Sequence, residues 1–189
     1  MTMKKIIALC LCCVMLLSLC ACGSKKEETP AAPQIESAVA LLDAVWQSYA
    51  EEEKFPCAGG DLDHANMEGP GEYAVGSAEA LDASFGIPSG EAAHVTEAAS
   101  LMHMMNLNTF TAGAFRLSAG TDMAAFAENV KANVLQRQWI CGCPDTLVIL
   151  GVGDYVVSAF GEAGIIETFK TRTLAAWEGA ALLAEESLT

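Results

Sequence analysis

Two apolar runs, residues 146–150 and 155–160, are separated only by Gly151-Val152-Gly153-Asp154. Runs that short read as strands, and a connection that tight makes them antiparallel neighbours. A second pair reads at 95–105 and 109–117, turning at Asn106-Leu107-Asn108. Between the pairs, Gly120-Thr121-Asp122 opens a helix to about 139, with Phe126, Val130 and Val134 on one stripe. From Glu162 onward Ile166, Phe169, Thr173 and Trp177 recur at helical spacing, with an interruption near Gly179. Upstream, residues 35–54 carry Val39, Leu42, Trp46 and Tyr49 at three- and four-residue steps, and Phe55-Pro56 ends that helix. Ser77 is placed to cap a short helix ending near Phe85, and the glycines and prolines of 57–73 predict loop. The order strand-strand-helix-strand-strand-helix predicts an α+β fold. It implies a small antiparallel four-stranded sheet with helices packed on one face, preceded by an N-terminal helix. A doubly wound parallel fold is excluded, because strands and helices do not alternate.

The N-terminus constrains location rather than fold. Lys4 and Lys5 precede an apolar run from Ile6 to Leu19, which ends in Leu19-Cys20-Ala21-Cys22 before Gly23-Ser24 and Lys25-Lys26-Glu27-Glu28. A positive start, a short apolar middle and small residues before a cut describe a secretory signal. The run is shorter than the roughly 20 residues a spanning helix needs, so cleavage is expected rather than permanent insertion. Leu-x-Ala-Cys resembles the bacterial lipobox, which implies acylation of Cys22 and attachment to the extracytoplasmic face of the cell membrane. The expected organisation is a signal peptide over 1–21, a flexible spacer over 22–34 with Pro30 and Pro33, and one α+β domain over 35–189.

Charge and thiols bound the chemistry. With 24 acids against 10 bases the chain is a poor partner for nucleic acid. Only 18% of residues are charged, so it is not a disordered acidic tail. Processing would remove Cys10, Cys12, Cys13 and Cys20, and acylation would consume Cys22. The thiols left are Cys57, Cys141 and Cys143, too few for a disulfide scaffold. Cys141-Gly142-Cys143 could chelate a soft metal or form a strained disulfide, and Cys57 could add a third ligand or pair with either. The competing reading is buried or idle thiols beside Trp139.

Other clusters are weaker. Met102-His103-Met104-Met105 would suit Cu(I), but a strand puts Met102 and Met104 on one face and His103 on the other, so core packing is expected. Asp61, Asp63, His64, Glu68 and Glu72 crowd one loop, yet Ala65 breaks the alternation a calcium loop needs. No P-loop, Gly-x-Ser-x-Gly or His-Glu-x-x-His is present. No catalytic residue, metal or cofactor is therefore expected.

Leu101-Met-His-Met-Met-Asn-Leu-Asn-Thr-Phe-Thr111, Gln138-Trp-Ile-Cys-Gly-Cys-Pro-Asp145 and Gly153-Asp-Tyr-Val-Val-Ser-Ala-Phe-Gly161 together resemble a family of small clostridial surface lipoproteins. Some of its members are labelled bacteriocin transport accessory protein. The resemblance covers most of residues 35–189 and implies a cell-surface location without assigning any catalytic residue. Two functions are expected from the whole sequence. One is a non-enzymatic, lipid-anchored interaction or accessory domain with a protein partner at the cell surface, associated with a transporter. The other is a thiol-dependent redox or metal-binding lipoprotein using Cys141 and Cys143.

Overall fold

The computed structural model describes residues 34–140 and 142–189. The expected signal peptide, Cys22, the spacer up to residue 33 and Cys141 lie outside the described residues. The chain runs α1 (Ala38–Gln47), β1 (Cys57–Ala58), β2 (Gly71–Glu72), α2 (Ala78–Phe85), α3 (Ser89–Ala92) and β3 (Val95–His103). It continues through β4 (Phe110–Leu117), α4 (Met123–Leu135), β5 (Thr146–Val152), β6 (Tyr155–Gly161), α5 (Ala163–Ala176) and β7 (Ala181–Ser187).

The fold is α+β, but its sheet has seven strands, all antiparallel, rather than the four expected. The strand order is β1-β3-β4-β6-β5-β7, with β2 also pairing with β3. Both expected hairpins are present and form the middle of the sheet. In β5–β6 the register is Val152↔Tyr155, and Gly153 turns the chain at φ 62°, a left-handed conformation that glycine adopts without strain. The three additional strands escape the sequence for separate reasons. β1 and β2 are two residues each and lie in a glycine-rich stretch. β7 is Ala-Leu-Leu-Ala-Glu-Glu-Ser, a composition of strong helix formers, and pairing with β5 overrides that propensity.

Helices cover both faces of the sheet, not one. On the first face, Leu41, Leu42, Val45 and Trp46 of α1 and Ile166 and Phe169 of α5 pack on Leu101, Phe110, Ala112, Val148, Leu150 and Val157. On the second, Leu81 and Phe85 of α2 and Phe126, Val130 and Val134 of α4 pack on Phe115, Leu117, Leu147, Ile149, Val156 and Phe160. Consecutive residues of β5 and β6 thus enter opposite cores, and every residue of β6 is buried.

Three helices are capped by side chains, Ser77 among them as expected. The Ser37 hydroxyl accepts from Ala40 N–H, Ser77 from Ala80 N–H, and Asp122 from Ala124 and Ala125 N–H. A remote residue finishes the start of α1. Glu97 of β3 accepts the Ala38 N–H at 2.6 Å and the Tyr155 hydroxyl at 3.1 Å, and Arg116 bridges Asp154 at 2.8 Å beside it. Burial and the nearby Glu97 charge push the Tyr155 phenol up to about 12, so it remains a donor. This cluster fixes where residues 34–37 enter the fold: the end of the sheet that carries Glu97, Arg116, Asp154 and Tyr155.

Phe110, fully buried, meets Phe55 and Phe169 edge-on at 5.1 and 5.3 Å and ties the segment after α1, α5 and the β3–β4 hairpin together. Phe110→Ala should lower unfolding free energy by about 3–5 kcal/mol, read by urea denaturation.

Candidate functional site

The opposite end of the sheet carries a groove. It has a volume of about 690 Å³ and lies between the loop following β1 and the tip of the β3–β4 hairpin. Its apolar lining is Leu62, Met67, Met102, Met104 and Leu107, with Tyr73 and Ser84 on one wall and Asp61 and Asp63 at the rim. Large apolar side chains there stand in solvent: Leu62 is 100% exposed, Met67 59%, Leu107 55% and Met105, just beyond, 81%. Folded monomers seldom leave such residues together in water unless something binds them.

The floor comes from where β3 stops. The strand ends at His103, so Met104 and Met105 project from the turn instead of packing, which overturns the expectation of core packing for these two. Met102 remains half-buried against the second core. His103 stacks on Phe55 at 5.4 Å, and its Nδ1 accepts the Met105 N–H at 3.2 Å, so the ring braces the turn. His94 sits at the other end of β3 and shares no site with it.

The wall is a loop that cannot easily move. Gly59 and Gly71 pass so closely that a side-chain carbon on Gly59 would lie 2.3 Å from the Gly71 nitrogen and 2.3 Å from the Ser100 carbonyl. Gly59 also pairs with Asn66 by two backbone hydrogen bonds of 2.8 Å, and buried Ser100 accepts the Gly60 N–H through its hydroxyl. Asp61 organises the remainder. Its Oδ1 accepts the Asp63 and His64 N–H groups and lies 2.8 Å from His64 Nδ1, while Oδ2 accepts the Ala74 N–H at 2.7 Å. The Ala74 bond is the largest of the effects holding the Asp61 carboxyl down at about 2, and the Asp61 hydrogen bond raises His64 above its ordinary value. With both oxygens engaged by donors, Asp61 shapes the loop. Among the described residues no three His, Cys, Asp or Glu side chains are placed to hold a metal ion.

The far wall extends toward the thiols. Asn108 Nδ2 donates to the Ile140 and Gly142 carbonyls, both at 2.8 Å, and ties the hairpin tip to those two residues. Beside it Arg137 stacks over Trp139 at 4.9 Å and donates to the Ala83 carbonyl. Cys143 is exposed, and its Sγ donates to the Leu188 carbonyl at 3.3 Å. Cys57 is buried in the first core on β1, where burial raises its thiol pKa. Four strand spacings of about 4.8 Å separate β1 from β5, at whose start Cys143 lies. The fold therefore does not bring Cys57 and Cys143 together.

Met67, Tyr73, Ser84 and Leu107 were not singled out by sequence. The signal for Leu107 and the methionines was their proximity to Asn106 and Asn108, since turn residues cannot be core. Tyr73 and Ser84, 2.7 Å apart through their hydroxyls, carried no local signal. Among the described residues no helix is long and apolar enough to cross a membrane. Comparison with protein-family models, characterised proteins and solved structures gave no match.

Two outcomes follow for the loop and the thiol. Asp61 has a folded pKa below its ordinary 3.8, so its stabilisation is present above that value and lost as pH falls through about 2. His64 is raised, so its share is present below 6.5 and lost as pH rises through the folded value. In Asp61→Asn, the His64 titration followed by NMR should drop toward 6.5, and the Ala74 amide should exchange faster. Cys57 should resist an aromatic disulfide reagent at pH 8 until denaturant is added, whereas Cys143 reacts in the native protein.

Proposed function

We propose that this chain is a lipid-anchored, extracytoplasmic binding module without catalytic function, which seats an apolar segment of a partner protein in the groove. The observation that carries this reading is the cluster of exposed Leu62, Met67, Met104 and Leu107 around a cleft whose walls are held by backbone contacts. Solvent-facing methionines are flexible and polarisable, which suits a surface that must mould itself to another chain. A rigid wall lowers the ordering cost of association.

The anchor is supported by the Leu19-Cys20-Ala21-Cys22 sequence and by the position of the chain's entry into the fold. Gln34 and Ile35 lie beside Arg116, Gly153 and Asp154, at the end of the sheet remote from the groove. His103 lies six residues beyond Glu97 on β3, or roughly 20 Å along the strand. Residues 34–37 thus enter the fold away from the groove.

A photo-crosslinking residue at Met104 in the full chain on intact cells should capture a discrete protein. That capture should be lost when Leu107 is changed to Gln, because exposed positions tolerate such a change without unfolding. Capture of the same proteins in equal amounts by the changed groove would overturn the binding reading. Cys22→Ala should leave the domain folded but either uncleaved or released from the membrane fraction. A variant still processed and membrane-bound would remove the lipid anchor from the proposal.

A further inference from the structure

The groove joins exposed apolar side chains to carboxylates that no described lysine or arginine pairs with. Among the described residues, Lys54, Lys131, Lys170, Arg116 and Arg172 each form an ion pair with a carboxylate elsewhere on the protein. Arg137 is turned over Trp139 and Phe160. None of them pairs with the groove loop, which carries Asp61 and Asp63 at the rim, Glu68 beside Met67, and Glu72 on β2. Among the described residues the one basic side chain these acids meet is His64, 2.8 Å from Asp61. The backbone bonds of Asp61 and the contact of Gly59 with Gly71 fix the loop, so this charge stays beside the apolar floor.

That combination selects among occupants. An anionic segment would be repelled by the rim and by a chain of formal charge −14. A neutral apolar segment would cover the floor but strip water from carboxylates that gain no partner, which is unfavourable. A segment with apolar side chains on one side and Lys or Arg on the other satisfies both surfaces. We infer that the groove seats a cationic amphipathic peptide segment, its apolar side chains on Met67, Met104 and Leu107 and its basic side chains toward Asp63 and Glu68. This rests on the reading of the groove as a binding site and adds the chemistry of the partner.

The test uses the full lipidated chain in zwitterionic nanodiscs, with empty discs as the control. The probes are two fluorescent peptides with identical leucine positions, one carrying lysines at its polar positions and the other glutamines. The lysine peptide should bind, weaken as salt is raised, and bind about three- to ten-fold more weakly to Asp63→Asn/Glu68→Gln. It should bind about ten-fold or more weakly to Met104→Gln/Leu107→Gln, where both changes are at exposed positions. Equal binding of both peptides, lost on changing Met104 and Leu107, would overturn the cationic preference and leave the binding groove standing. Binding of neither peptide would overturn both. Lysine-peptide binding that ignores Met104 and Leu107 would place the contact on surface charge alone and overturn the groove as its seat.

Discussion

The structure depends on burying its central strands on both faces. β4, β6 and β5 alternate side chains into two cores, so neither face of the sheet can be left to water. That requirement recruits α1 and α5 to one side and α2 and α4 to the other, and it makes the hairpins interior rather than peripheral. The edges are then the only places where irregular chain can approach the sheet. β7 closes one edge. The short β1 and β2 close the other along β3, and the loop between them is consequently pressed against the hairpin tip, where the groove forms.

Much of this was legible, and the misses have specific physical causes. Gly151 to Asp154 identified a hairpin because glycine near the turn leaves few alternatives, and Ser77 marked a helix start through its hydroxyl. The number of helix-covered faces was misjudged although the information was present. Leu147, Val148, Ile149 and Leu150 are apolar at every position, whereas a strand with one wet face alternates. β7 was hidden more deeply. Its alanines, leucines and glutamates favour helix locally, and only the unpaired edge of β5 and the left-handed turn at Gly179 (φ 83°) convert it to a strand. No local pattern reports a partner 35 or so residues away.

The site was legible in fragments. The acids of the 61–72 loop stood out in the sequence, but what Asp61 does there did not: it spends its oxygens on backbone donors. The methionines were misplaced because a strand reading was continued two residues past His103. Beyond that point the alternation of faces no longer applies, and the same thioethers that would have filled a core line a surface instead. Thiol spacing suggested a cluster of three, but Cys57 is distant in the sheet from Cys143, since sequence separation says nothing about which strand pairs with which.

The two ends of the sheet have opposite characters, and each follows from its side chains. At the Glu97 end, carboxylate, phenol and guanidinium satisfy one another and the first turn of α1, giving a polar, closed junction suited to receiving the chain from its N-terminal side. At the His103 end the strands stop short, the hairpin tip is apolar, and the facing loop carries acids that pair with no lysine or arginine among the described residues. An end whose carboxylates share a guanidinium and accept a phenol and a backbone N–H has less to offer a second molecule. An end with unmatched carboxylates above exposed thioethers gains from contact, because association can remove apolar surface from water and supply counter-charge in one step.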